Sequence, residues 1–239
     1  MRRRPFLTAE WRDLLMVNFA VPEAVLRPFV PRGTELDDHR GVTYVSLVAF
    51  RFLKTRVLGL PVPFHRDFEE LNLRFYVRRE TPQGSRRAVV FIREVVPRAA
   101  IAAVARAIYN EPYVALPMRS SVGGTPPAVD YAWRWRGQWF ALRARATGEG
   151  VLPEPGGHED FITHHLWGYT RQRDGGTLEY AVDHPPWRVW RVEGLELEPP
   201  PGAFYGHPFA DLLQRPVSAF LAEGSAVTVF RPTHLEGAR

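Results

Sequence analysis

Glu69-Glu70-Leu71-Asn72-Leu73-Arg74-Phe75-Tyr76-Val77-Arg78-Arg79 alternates with a period of two. Leu71, Leu73, Phe75 and Val77 face one way, and Asn72, Arg74, Tyr76 and Arg78 face the other, which is the signature of a strand. Thr81-Pro82-Gln83-Gly84-Ser85 supplies turn chemistry, and Arg87 to Val96 returns as a second strand, so the pair reads as a hairpin. Upstream, Val42 to Phe50 is a β-branched and aromatic run that predicts a buried strand. Downstream the period changes. Ile101, Val104, Ala105 and Ile108 fall at i, i+3, i+4 and i+7, which predicts one main helix within Pro97–Tyr109 with Pro97 at its first position. Glu111-Pro112 ends it, because the residue before a proline is pushed out of the α region.

The remainder repeats the strand theme. Tyr131–Arg136 and Gln138–Ala146 form a hairpin around Gly137, and Trp167–Arg173 and Thr177–Val182 flank Asp174-Gly175-Gly176. Glu159–Leu166 has the length of a short helix, and Val217–Leu221 and Ala226–Phe230 bracket Glu223-Gly224-Ser225. No repeat, low-complexity tract or long linker interrupts the chain. The expectation is a β-rich α+β fold: a single domain over residues 1–239, built as a closed or nearly closed antiparallel β-barrel with a few short helices.

Composition narrows the chemistry. The 239 residues include no cysteine, which removes disulfides, thiolate nucleophiles and zinc–thiolate sites together. Lys54 is the sole lysine, so thirty of the 31 basic side chains are arginine. That bias and the many prolines fit a hot-living source and a GC-rich coding sequence equally. The net charge of +5 is spread among acids, as in Arg78-Arg79-Glu80 and Arg93-Glu94, and makes no basic face for nucleic acid. In Trp133-Arg134-Trp135-Arg136 the strand period puts both indoles inward and both guanidinia outward. No apolar run reaches the 18 residues of a membrane span, and Glu10, Arg12 and Asp13 interrupt any signal segment, so the expected compartment is the cytoplasm.

No phosphate loop, dinucleotide fingerprint or nucleophile elbow occurs. His158, His164 and His165 lie close together beside Glu159 and Asp160, but their spacings fit no single helical face, and no metal is expected there. His184 stands at a strand end before Pro185-Pro186, where rigid backbone collects functional groups. The Asn72, Arg74, Tyr76, Arg78 stripe is the solvent face of an ordinary strand, or the lumen face of a barrel. In the second case Arg74 is placed to anchor a carboxylate bidentately.

Glu10-Trp11-Arg12-Asp13-Leu14-Leu15, Leu60 to His65, Phe68 to Arg79, Phe91 to Arg98, Trp167-Gly168-Tyr169-Thr170 and Glu223-Gly224-Ser225 resemble the YqjF-like family. The likeness runs from about Phe6 to about Pro232. It carries no established activity, but the family sits in the acetoacetate decarboxylase-like superfamily, which implies a cone-shaped, largely antiparallel barrel around a small-molecule cavity. By the same resemblance, the arginine serving the substrate carboxylate falls on Arg12, and Pro112 matches the proline before the decarboxylase lysines. Tyr113 and Val114 stand where those lysines would be, and the two acidic positions fall on Ser46 and Thr55. The resemblance thus implies that the imine-forming amine and its acidic helpers are gone.

An imine mechanism needs a primary amine with a lowered pKa, and only Lys54 and the N-terminus offer one. The functional expectation is therefore a cavity for a small carboxylate or carbonyl compound, without Schiff-base decarboxylation and without a cofactor. Arg12, Arg74 and Tyr113 are the ligand-binding candidates, and His165 or His184 the acid–base candidate if there is catalysis. The alternatives are a non-catalytic scaffold or homo-oligomer with a filled barrel, and a metal-dependent hydrolase using the clustered histidines.

Overall fold

The computed structural model describes residues 4–235. Among them one sheet of fifteen strands runs through the chain. Its first strands are β1 (Pro5–Ala20), β2 (Glu35–Leu36), β3 (Tyr44–Val57), β4 (Leu60–Pro61), β5 (Phe68–Thr81), β6 (Gly84–Val96), β7 (Tyr113–Ala115) and β8 (Met118–Gly123). Then come β9 (Ala128–Trp135), β10 (Gln138–Val151), β11 (Trp167–Arg171), β12 (Thr177–Asp183), β13 (Val189–Glu198), β14 (Ser218–Phe230) and β15 (Thr233–His234). The α-helices are α1 (Glu23–Leu26), α2 (Ala99–Tyr109), α3 (His158–Thr163) and α4 (Gly202–Tyr205).

Seven strands close into a ring in the order β12-β11-β6-β5-β3-β1-β14, with β14 returning to β12 through Val182–Val229 and Asp183–Thr228. The expected hairpins β5–β6, β9–β10 and β11–β12 all pair antiparallel. The sheet as a whole is mixed, which corrects the antiparallel expectation: β6 pairs in parallel with β11 and with β7. Neither partner reaches β6 through a tight turn. β7 follows the crossover helix α2 and β11 arrives after a long excursion, so no hairpin sets their direction.

That excursion, with β13, makes an arm, β13-β10-β9-β8, continuing from β14. It packs on the outside of the ring. Leu15, Val17, Val45, Leu47, Leu71, Leu73 and Phe75 share one core with Tyr131, Trp133, Phe140 and Leu142 of the arm. A second core lines the ring's interior, where Met16, Val48, Phe50, Phe52, Phe68 and Val89 cluster with Ala102 of α2 and Phe161 and Ile162 of α3. The alternation of β5 therefore buries both faces: apolar residues against the arm, polar ones inside the ring.

Two irregularities re-aim side chains. Asp13 adopts a left-handed φ of 56°, and pairing of β1 with β3 shifts register between Arg12 and Leu15. The bulge puts Trp11 and Leu14 on the same inward side although they are three residues apart. Opposite it, Gly224 is the partner of Arg12 at φ 75°, and a Cβ there would lie 1.9 Å from the Trp11 carbonyl oxygen. Glu223-Gly224-Ser225 is thus a kink within the continuous strand β14 rather than a break between two strands.

Helix α2 starts two residues after Pro97 and ends on Asn110, which takes the left-handed conformation (φ 55°) typical of a helix stop. Its Ile101, Val104, Ala105 and Ile108 stripe does not enter the core as the period implied. Val104 and Ile108 are exposed, whereas Ala102 and Tyr109 are buried.

Candidate active site

A cavity of about 260 Å³ occupies the ring interior. Trp11, Phe50, Phe52, Phe68, Phe91 and Trp187 supply an aromatic wall, and Ala100, Ile101, Val104 and Ala105 of α2 border it. Part of the α2 stripe is thereby explained: Ile101, Val104 and Ala105 border the cavity, whereas Ile108 does not.

One wall is polar. Glu70, Asn72 and Arg74 project inward from alternate positions of β5. Glu94 lies opposite Asn72 on β6, and Tyr113 pairs with Glu94 on β7. The left-handed stop at Asn110 turns the chain so that Glu111 also enters the cavity. Tyr113 donates its phenol to Glu70 Oε2 at 3.0 Å, and Asn72 Nδ2 donates to Glu70 Oε1 at 3.2 Å. Glu111 Oε1 accepts from Thr170 Oγ1 at 2.5 Å and from the Tyr180 phenol at 3.0 Å. Arg74 donates through Nη2 to the Ile162 carbonyl at 3.0 Å, which ties this wall to α3.

Three buried carboxyl groups in one apolar chamber cannot all ionise cheaply. Burial pushes Glu70 up to about 7, held there by donation from Asn72 and Tyr113 and by the Arg74 charge. Burial pushes Glu111 up to about 8, against its two hydroxyl donors. Glu94 is raised well above the carboxylate range, through burial and then the negative charges of Glu111 and Glu70. Tyr113 is driven up by burial and by the same acids, so its phenol stays protonated.

The histidines divide. His165 lines the cavity with both ring nitrogens lacking a protein partner, its ring 4.7 Å from that of Tyr76. Burial, then Arg87 and Arg74, push it well below the usual histidine range, so it is neutral. His184 also lines the cavity, stacked on Trp187 at 4.1 Å, and donates from Nδ1 to the Pro185 carbonyl at 2.9 Å. His158 instead meets Ser218 Oγ at 2.7 Å, and His164 lies 3.5 Å from Asp160, so the three clustered histidines point to different places. Among the described residues no group of three or more His, Asp or Glu is arranged to hold a metal ion.

Of the expected ligand contacts, the structure brings Arg74 and Tyr113 together with His165 and His184 in one chamber. Arg12 is outside it. Trp11 points inward, so its neighbour faces outward, where the 38%-exposed Arg12 side chain pairs with Glu10 at 3.1 Å. Lys54 pairs with the same Glu10 at 2.5 Å, its side chain 67% exposed. Of the two positions matched to acids, Thr55 lines the cavity, whereas Ser46 bonds Asn18 and Tyr76 within the wall. Ser46 and Thr55 are not acids, but three acids from other positions line the cavity: Glu70, Glu94 and Glu111. Glu70 was visible by extending the Asn72–Arg74 stripe back by two residues. Glu94 looks like scattered surface charge next to Arg93, and Glu111 like a helix stop.

Comparison with known proteins agrees on fold and family. An acetoacetate decarboxylase from Legionella pneumophila subsp. pneumophila str. Philadelphia 1 superposes with a TM-score of 0.68 at 12% identity, over 98% of this chain and 88% of that one. The enduracididine biosynthesis enzyme MppR gives 0.65 at 13% identity, covering 98% and 90%. An acetoacetate decarboxylase-like enzyme from Sphingomonas wittichii RW1 gives 0.64 at 15%, covering 98% and 94%. At such identities these similarities establish the shared fold alone. No curated protein matches the sequence. The family model of DUF2071, an uncharacterized conserved protein, matches residues 8–226, and the chain belongs to that family.

Proposed function

We propose that the ring cavity binds a small carbonyl or carboxylate compound and does not carry out Schiff-base decarboxylation. One observation carries this reading. Among the described residues, ten buried side-chain nitrogen and oxygen atoms lack a protein partner, and eight belong to residues lining this cavity. They are Trp11 Nε1, Thr55 Oγ1, Asn72 Oδ1, Arg74 Nε, Glu94 Oε2, Glu111 Oε2 and both nitrogens of His165. Each buried, unpaired polar atom costs about 1–3 kcal/mol. Their concentration in one aromatic chamber is what a polar-headed ligand requires, and it weighs against a barrel that is only a filled scaffold, although Arg12 lies outside the chamber.

Charge favours a carbonyl head over a carboxylate. Only Arg74 among the lining residues is a guanidinium, and it already balances Glu70. A further anion would have to compete with Glu70 for that one guanidinium. MppR, which shares the fold, is complexed with pyruvate, which carries both a ketone and a carboxylate and so fits either head. The test is thermal unfolding with benzylacetone and with 3-phenylpropionate, which present a ketone and a carboxylate on similar phenyl chains. The ketone should raise Tm in proportion to log concentration, about 2.7 kcal/mol at a hundred times Kd. Stabilisation by neither compound would overturn the reading, and stabilisation by the acid alone would reverse its polarity.

A further inference from the structure

We propose that this cavity catalyses proton transfer at the carbon next to a ketone carbonyl, keto–enol tautomerisation, with Glu70 as the base and Glu94 as the acid. The proposal rests on the carbonyl-binding reading above and assigns it a reaction.

The geometry separates the two roles. Glu70 has both oxygens engaged by donors, Asn72 and Tyr113, and has the Arg74 charge nearby, all of which favour its carboxylate form. Glu94 has a buried Oε2 with no partner and two acidic neighbours, which favour its carboxylic acid form. The two side chains are diagonal neighbours on paired strands, since Glu94 lies opposite Asn72 and Glu70 is two residues before it. Diagonal positions on one face have backbones about 7–8 Å apart, and both side chains line the cavity, so a Cα–C=O unit bound there is within reach of both. Two carboxyl groups held in opposite protonation states within an apolar site are a recurring way to place an acid and a base at neutral pH.

In the forward step the Cα–H bond breaks and its proton goes to a Glu70 oxygen. The freed electron pair forms the C=C bond, the carbonyl π pair moves to oxygen, and that oxygen takes the proton of Glu94. The enol leaves Glu70 protonated and Glu94 ionised, and the reverse step restores both. No oxidant, reductant or third reactant is needed. Tyr113, hydrogen bonded to Glu70 and paired in register with Glu94, is a positioning residue whose phenol also lets the proton return from Glu70 to Glu94. The aromatic wall limits the substrate to a neutral ketone with an apolar body.

The experiment incubates the full chain in D₂O at neutral pD with benzylacetone, and separately with 2-heptanone. Saturation-transfer NMR reads binding, and loss of the α-proton signals reads exchange. Both ketones should bind, with α-exchange about a hundredfold above buffer, the usual scale of acid–base catalysis. Glu70→Gln and Glu94→Gln should keep saturation transfer and lose exchange. Tyr113→Phe should slow exchange and displace its pH profile, which a merely structural tyrosine would not do. Absence of saturation transfer from both ketones overturns the binding reading and this inference with it. Binding without exchange above buffer, or exchange that survives in Glu70→Gln, overturns this inference alone.

Discussion

Glu111 is held by two hydroxyl donors yet is still pushed to about 8, and Glu70 to about 7, because burial outweighs their partners. Both start from an ordinary carboxyl value of 4.5, so between that pH and the folded values the unfolded chain releases protons that the folded chain keeps. Stability is complete below the unfolded value and declines as pH rises through about 7 and about 8. The histidines act on the other side: His165 and His184, pushed down by burial, cost stability only as pH falls below the ordinary 6.5. Denaturant titrations from about pH 6.5 to about pH 9 should find stability falling, and Glu111→Gln should flatten that fall and raise stability at the alkaline end. Lys54 gives a second test at this scale. It is exposed and paired with Glu10, so nothing desolvates its amine. Incubation with acetoacetate and borohydride should leave the intact mass unchanged, and an adduct mapped to Lys54 would contradict the proposal that no lysine imine forms here.

At the scale of elements, the bulge in β1 and the kink in β14 decide what faces the cavity. Gly224 sits at φ 75° with the Trp11 carbonyl where a Cβ would be, so Gly224→Ala should lower stability by more than about 1 kcal/mol. Its measured Tm checks this, and a neutral result would mean that β14 relaxes without disturbing Trp11. Helix α3 is tied to the ring by Arg74 donating to the Ile162 carbonyl and Arg87 to the Phe161 carbonyl at 3.3 Å. Arg74→Met should cost about 1–3 kcal/mol, because it leaves a buried carbonyl unpaired and removes the charge that balances Glu70. Hydrogen exchange at the His164 amide, bonded to the Asp160 carbonyl, should speed up in that variant more than exchange in the arm.

Over the whole molecule, the ring and the arm share one core through β5. Trp133 of the arm is 1% exposed and packs in the same cluster as Leu71, Leu73 and Phe75 of the ring. Trp133→Ala should therefore cost about 3–5 kcal/mol, and far- and near-UV circular dichroism should still report one coincident unfolding transition. Two separated transitions would show that the arm folds as its own unit. The shared core also explains what was legible from the start. The period of two in Glu69–Arg79, the turn after it and the change of period at Pro97 are local, and they marked the β5–β6 hairpin and α2 to within a few residues. A period of two says that a strand has two unlike faces. It does not say what covers the polar one, and here ring closure through β12 and β14 makes that face the wall of a cavity.

The sequence by itself determined a β-rich chain, the hairpins and the helix before Pro112, because each depends on neighbours in the chain. Which arginine enters the cavity, and that three glutamates from β5, β6 and the turn after α2 meet there, was decided by tertiary structure. A one-residue bulge at Asp13 reverses which of Trp11 and Leu14's neighbours point inward, and it carries no sequence signal because Asp is common at any turn. Burial is likewise a property of the closed ring, and burial raises all three carboxyl groups above their ordinary range, while the donors and the Arg74 charge around Glu70 favour its carboxylate form.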